Sequence, residues 1–180
     1  MNKLSSDTAR IISSLQVITK VENVVKELIE NSLDAGATSV EVKFENYGLS
    51  KIEVRDNGYG IKQSDVEYVA QRHYTSKISC KEDLNHLESY GFRGEALSSL
   101  CDVAEVFITT RTKDDSYSTK YSLNHKGCIT ASKPCHLVQG TAITANNLFA
   151  NMPVRCQVYQ TPSKRKQILK NTEDILMSFA

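Results

Sequence analysis

The sequence predicts an α+β sandwich with helices packed on one face of a mixed, mostly antiparallel sheet, and three observations predict it. Apolar residues recur at helical spacing over residues 21–33. Strict apolar–polar alternation follows in two consecutive segments, and the second half of the chain is a run of short strand-like stretches separated by turn residues.

In the first helix, Val21, Val24, Val25, Leu28 and Ser32 form a stripe at i, i+3, i+4 that Ile29 and Leu33 widen, and Gly36 stands where the helix should end. In "SVEVKFE" Val40, Val42 and Phe44 share a face, in "KIEVRD" Ile52 and Val54 do, and "ENYGLS" between them reads as a hairpin loop. Ser64-x-x-Glu67 has the form of a capping box and predicts a helix starting at Ser64. A polar stretch over residues 75–90 then leads into "GFRGEALSSLCDV", which opens another helix. "VAEVFITTR", "YSTKYSL", "CITAS" and "GTAITANNL" read as strands joined by turns such as "NHKG", and an amphipathic helix is expected over residues 163–177. There is no internal repeat.

The 180 residues suit one domain, expected to span 1–180, and a 40% hydrophobic content agrees with a packed core. Lys plus Arg number 22 against 21 Asp plus Glu, so no global field argues for nucleic acid or membrane, and any polyanion must be held locally. Cys80, Cys101, Cys128, Cys135 and Cys156 are odd in number and lack a C-x-x-C pair, which points to a reducing, intracellular compartment. No run of ~18 apolar residues and no secretory leader is present. His73, His86, His125 and His136 lack metal-ligand spacing with the cysteines. The chain stops at "LMSFA" without a linker, as expected of a fragment.

Several residues could carry chemistry. Glu27, Asn31 and Asp34, at i, i+4 and i+7, form one polar edge opposite the apolar stripe. A carboxylate beside a carboxamide suits a magnesium–nucleotide site, since the amide oxygen ligates a hard cation while the acid orients or deprotonates water. Taken alone, a solvated helix face is the commoner explanation. In "RDNGYG", Asp56 ends a strand and is followed by Gly58 and Gly60, so a carboxylate able to accept from an exocyclic amine lies beside backbone that permits close approach. An ordinary Asp-Asn-Gly turn is the simpler account of that stretch by itself. Gln63 stands where a dinucleotide fingerprint needs its third glycine, and no Walker A sequence exists.

"GFRGEAL" brackets a helix start with glycine, so the backbone N–H groups of Gly94, Glu95, Ala96 and Leu97 could receive phosphate oxygens, with Arg93 adding a forked cation. An ordinary loop explains it equally well alone. Thr75, Ser76 and Lys77 offer hydroxyls and an ammonium ahead of a stretch long enough to be a lid, and Thr141 in "QGTAI" could reach a ligand through water, although threonine is commonplace in strands. "SKRK" at 163–166 could touch a phosphate backbone or simply be a solvated helix start.

In order along the chain, E-x-x-x-N, D-x-G-x-G, G-F-R-G-E-A-L and G-T make it resemble the MutL family of DNA mismatch repair ATPases, and "VVKELIENSLDAGATSVEVK" and "YGFRGEALSS" resemble its eukaryotic post-meiotic segregation (PMS) branch. The resemblance implies the Bergerat (GHKL-type) ATP-binding sandwich. In it Glu27 would be the general base, Asn31 the magnesium ligand and Asp56 the adenine-reading carboxylate, with Gly58 and Gly60 making room and Thr141 completing the pocket. Thr75, Ser76, Lys77, Arg93, Gly94, Glu95, Ala96 and Leu97 would form the lid and phosphate-binding stretch. ATP and Mg2+ are the implied cofactors. Implied partners are another MutL-homologue subunit in a heterodimer, mismatch recognition proteins, and DNA in weak, non-specific contact, with no membrane and a nuclear location.

Two departures temper that expectation. The family's N-terminal segment, close to I-A-A-G-E-V-V followed by Arg-Pro, is here "IISSLQVITKVEN", so its ATP-linked dimer contact is in doubt and slow turnover is expected. The family's second, transducer domain, which supplies a lysine to the γ-phosphate, and its C-terminal dimerisation region lie outside these residues, so the fragment is expected to bind ATP and hydrolyse it weakly. The alternative is a non-catalytic assembly module that binds DNA or a partner and holds ATP without turnover.

Overall fold

The computed structural model describes residues 4–72, 74, 89–90 and 94–180. Helix α1 (Ser6–Val17) and helix α2 (Val21–Asp34) precede a hairpin of β1 (Val40–Glu45) and β2 (Lys51–Asp56), whose connection contains a 3-10 turn at Asn46–Gly48. Short α3 (Gln63–Val66) and α4 (Ala96–Val103) follow, then β3 (Glu105–Arg111), β4 (Ser118–Leu123), β5 (Ile129–Cys135) and β6 (Gly140–Asn146), and finally α5 (Pro153–Tyr159) and α6 (Pro162–Phe179).

The six strands are ordered β1-β2-β6-β3-β4-β5, and every pairing among the described residues is antiparallel, so the mixed character expected from sequence reduces to a purely antiparallel sheet. Strand β6 slots between β2 and β3, with Val54 opposite Ile143 and Ile143 opposite Ile108. Because alternate residues share a face, Ile52, Val54, Val106, Ile108 and Ala145 all point into the core. The α2 stripe supplies the facing layer: Val21, Val24, Val25, Leu28 and Ile29 are each no more than 4% exposed. Each such side chain contributes roughly 1.5–3 kcal/mol of burial. Leu97, Leu100 and Cys101 of α4 join the same cluster. Helix α6 packs on α2, where Asn171 Nδ2 donates to Glu22 Oε1 at 2.7 Å.

The structure differs from the sequence reading in three places. The helix expected from Ser64 is only Gln63–Val66, and Ser64 Oγ donates to Asp65 rather than capping, so the capping box is not used. Strand β5 runs on through Lys133 and Pro134 to Cys135, which an edge strand tolerates because its outward N–H needs no partner. Helices α1 and α5 were not expected. The first is started by Ser5, whose side chain accepts from Thr8 N, and the second by Pro153 in its opening turn.

Candidate functional site

At one end of the sheet the inward-facing rows turn polar together. Asp56 follows Ile52 and Val54 on β2, Thr110 follows Val106 and Ile108 on β3, and Thr141 precedes Ile143 and Ala145 on β6. All three are buried, at 8%, 5% and 6% exposed. Buried polar groups must be hydrogen-bonded, and these are. Asp56 Oδ1 accepts from Gly58 N at 2.9 Å and from Thr141 N at 3.1 Å, while Ser32 Oγ lies 3.1 Å from Asp56 Oδ2. Thr110 Oγ1 and Thr141 Oγ1 are 3.2 Å apart, and Thr110 Oγ1 accepts from Ile61 N at 2.8 Å. The carboxylate is thus fixed by donors from α2, from the turn after β2 and from β6.

The glycines after Asp56 are required by the protein's own backbone. A Cβ on Gly58 would lie 2.5 Å from the carbonyl oxygen of Ala35, and Tyr59 N donates to that same oxygen at 2.9 Å. Gly60 has φ +77°, and a Cβ there would overlap the Arg111 carbonyl. This close packing pins the turn against the end of α2 and the end of β3.

Helix α2 joins the Asp56 row to the polar edge read from the sequence. Ser32, in the core stripe, touches Asp56, and its neighbour Asn31 lies half-buried on the edge with Glu27. Asp34 Oδ1, on the same edge, accepts from Tyr90 N at 2.9 Å, which brings the chain just ahead of "GFRGEAL" to this helix. Gly94 has φ +61°, Glu95 precedes α4, and Ala96 and Leu97 form its first turn. Leu97's side chain is in the core, so only its backbone N–H is open to a ligand. Thr75, Ser76, Lys77 and Arg93 lie outside the described residues, as do His73, His86 and Cys80.

Sequence reasoning missed Ser32 and Thr110 as members of this cluster. Both signals were present: a serine in phase with an apolar helical stripe, and a threonine in phase with Val106 and Ile108. Among the described residues no group of three His, Cys, Asp or Glu could hold a metal, and none of the helices is long and apolar enough to cross a membrane. A magnesium ion bound beside Asn31 would therefore take most of its oxygens from phosphate and water, which is how that ion commonly binds with nucleotides.

Residues 18–146 match the family model described as "Histidine kinase-, DNA gyrase B-, and HSP90-like ATPase". The chain is 59% identical over 179 residues to human PMS1 protein homolog 1, covering 99% of this chain and 19% of the relative. It is 44% identical over 164 residues to the DNA mismatch repair protein pms1 of Schizosaccharomyces pombe, covering 91% and 21%. It therefore spans about a fifth of the length of these curated relatives. A crystal structure of the N-terminal domain of a DNA repair protein superposes with TM-score 0.77 at 38% identity, covering 94% of this chain and 48% of that one. The Aquifex aeolicus MutL ATPase domain complexed with ADP superposes with TM-score 0.66 at 27% identity, covering 89% and 55%. The chain belongs to the histidine kinase-, DNA gyrase B- and HSP90-like ATPase family, in which it is a MutL-type ATPase domain.

Proposed function

We propose that this chain binds ATP with magnesium between the polar edge of α2 and the Asp56 row, hydrolyses it slowly, and uses the bound state as a switch in the assembly of a mismatch repair complex. One observation carries the reading: a buried carboxylate, held by donors from three elements, ends an otherwise apolar sheet face beside the helix that bears Glu27 and Asn31. An ionised carboxylate offers about four acceptor sites. Ser32, Gly58 and Thr141 use three of Asp56's, which leaves capacity for one exocyclic amine such as adenine carries.

Glu27 acts as the general base on the attacking water, and the Asn31 amide oxygen ligates magnesium. Magnesium, when bound, neutralises charge on the phosphate oxygens. The N–H groups at Gly94, Glu95, Ala96 and Leu97 receive the phosphates, assisted by Arg93, Thr75, Ser76 and Lys77 on the strength of the resemblance. Gly58 and Gly60 set the turn on which adenine lies, and Thr141 borders it. Phosphoryl transfer asks for positioning and charge stabilisation more than covalent chemistry, which is what such a set supplies.

The relatives' names support a mismatch repair role. A heterodimer with another MutL homologue, contact with mismatch recognition proteins and a nuclear location belong to the same proposal on the strength of the resemblance. Weak, non-specific contact with DNA rests on the resemblance alone, since a net charge of +1 gives no global field for a polyanion. Calorimetric titration with ATP and magnesium, followed by a turnover assay on the same sample, tests the reading. Absence of heat together with absence of competition by ADP sinks it. The divergent segment at residues 11–23 favours one second reading, an assembly module that holds ATP, which bound nucleotide with turnover no faster than buffer would select.

A further inference from the structure

Away from the nucleotide residues, α4 carries a second buried carboxylate. Asp102 is 3% exposed, and it meets two guanidinium groups and a hydroxyl from elsewhere in the chain. Ser14 Oγ donates to Asp102 Oδ2 at 2.6 Å, and Arg72 Nη2 approaches the same oxygen at 3.3 Å. Arg10 Nε is 2.8 Å from Asp102 Oδ1, a close ion pair in which neither atom makes an aligned hydrogen bond. Arg72 Nη2 donates further to Ser14 Oγ and, at 3.0 Å, to the carbonyl oxygen of Arg10. Arg10 and Ser14 belong to α1, and Arg72 to the turns after α3, so a single carboxylate draws two other segments onto α4.

Such a cluster is costly unless complete, because a buried charge deprived of its partner is strongly destabilising. It matters here because the body of α1 buries few apolar side chains of its own. Twelve residues are too few for a stable isolated helix, so α1 depends on tertiary contact. Its one buried residue is Ser14, Ile12 is 44% exposed, and Leu15 and Val17 are only partly buried. The polar cluster therefore seats the middle of the helix, while Leu15, Val17 and the fully buried Ile18 just past its end anchor its C-terminal turn in the core.

Helix α4 is also the element whose first turn is assigned to phosphate. We propose that Asp102 is a positioning residue: it docks α1 and the Arg72 turn on α4 before any nucleotide is bound, and so makes the affinity of the nucleotide site depend on α1. The second half of this statement rests on the ATP-binding reading; the docking itself does not. Docking in cis also bears on the divergent segment at residues 11–23, because a helix already seated on its own domain does not wait for nucleotide to become ordered.

Hydrogen–deuterium exchange of α1, read with and without ATP and magnesium, tests the docking in the wild-type protein, Asp102→Asn and Ser14→Ala. Ser14→Ala removes one hydroxyl and leaves both ion pairs, so it keeps the test informative if Asp102→Asn does not fold. In the wild type, α1 amides beyond the first turn are expected to be protected without nucleotide. In the variants their exchange should rise about tenfold or more, as loss of one hydrogen bond to a charged group implies, while β2 and β6 stay protected. Steady-state turnover should show a raised KM for ATP with kcat close to wild type, a split that a general loss of folded protein does not produce. Unprotected α1 amides in the nucleotide-free wild type overturn the proposal, as do variants whose α1 exchange or KM matches wild type. A wild-type protein that binds no nucleotide overturns the ATPase reading instead, and the exchange comparison then still decides whether Asp102 docks α1.

Discussion

Ser32 Oγ stands 3.1 Å from Asp56 Oδ2 and 3.0 Å from the carbonyl oxygen of Leu28, so one hydroxyl proton serves two acceptors and can satisfy only one of them at a time. That relationship makes Asp56→Asn a clean test. The new amide nitrogen can donate to Ser32 Oγ while Ser32 gives its proton to Leu28, and the remaining oxygen still accepts from Gly58 and Thr141. The variant should fold with a melting temperature near wild type. What it loses is the charged acceptor for an adenine amine, so ATP affinity should fall roughly ten- to a hundredfold. Calorimetry and a thermal melt on one preparation check this. Full affinity in a folded variant removes Asp56 from the role of adenine reader.

Glu27→Ala separates binding from chemistry. Glu27 lies on the half-buried edge of α2, outside the core stripe, so its truncation leaves the apolar packing intact. Loss of a positioned general base lowers a rate by roughly 10²–10⁴. Turnover should drop to that extent while ATP affinity stays within a small factor of wild type. Unchanged turnover assigns the base to another group.

The sequence made α2, the hairpin after it and the strands of the second half legible because each has a clear period, 3.6 or 2, and a turn residue to end it. Asp56 was legible for the same reason, being in phase with Ile52 and Val54 and followed by glycines. Helix α1 was not, because its apolar stripe, Ile11, Leu15 and Ile18, is short, and the rest of its docking depends on Asp102, 88 residues away from Ser14. Ser64-x-x-Glu67 misled for the opposite reason. The local pattern was correct, but α3 starts at Gln63 with Lys62 at its N-cap, so Ser64 lies inside the helix and not at the position a capping box needs. Ser32 and Thr110 were read as helix and strand filler, since a small polar residue in an apolar stripe gains meaning only when the partner across the core is known.

On the open face of the sheet Lys51 Nζ and Glu53 Oε2 pair at 2.9 Å. The hydrogen bond from Lys51 holds the Glu53 carboxyl below the usual glutamate value, against the opposing effect of partial burial, and the same bond raises the Lys51 ammonium. For Glu53, with a depressed folded value, the stabilising contribution is present above the ordinary glutamate range and is lost as pH falls through the folded value. For Lys51, with a raised value, it is complete below the ordinary lysine range and lost as pH rises through the folded value. The pair should therefore contribute at neutral pH and fade at both extremes. Both side chains are partly exposed, so the effect is small, about 1 kcal/mol or less. Urea midpoints of wild type and Glu53→Gln should differ at pH 7 and converge toward pH 3; a constant difference would show that the pair does not titrate this way.

Cys101 gives a chemical readout of how tightly α4 is held. It is 1% exposed, and burial, aided by the negative charge of Asp102, pushes its thiol up to about 12. Only the thiolate attacks an alkylating reagent, so at pH 8 about one Cys101 in ten thousand would be ionised even if the reagent could reach it. Cys128 is exposed in the turn before β5, where a reagent reaches it directly. Iodoacetamide at pH 8 should label Cys128 promptly, and label Cys101 only as fast as α4 opens, as read by mass spectrometry of the peptides. Saturating ATP with magnesium should slow the Cys101 rate further if nucleotide grips the start of α4, because a ligand bound only to the closed form lowers the open population by the factor 1 + [L]/Kd. The Cys128 rate should not change. Equal labelling of the two thiols in the folded protein contradicts the burial of α4, and a Cys101 rate indifferent to bound nucleotide contradicts the assignment of its first turn to phosphate.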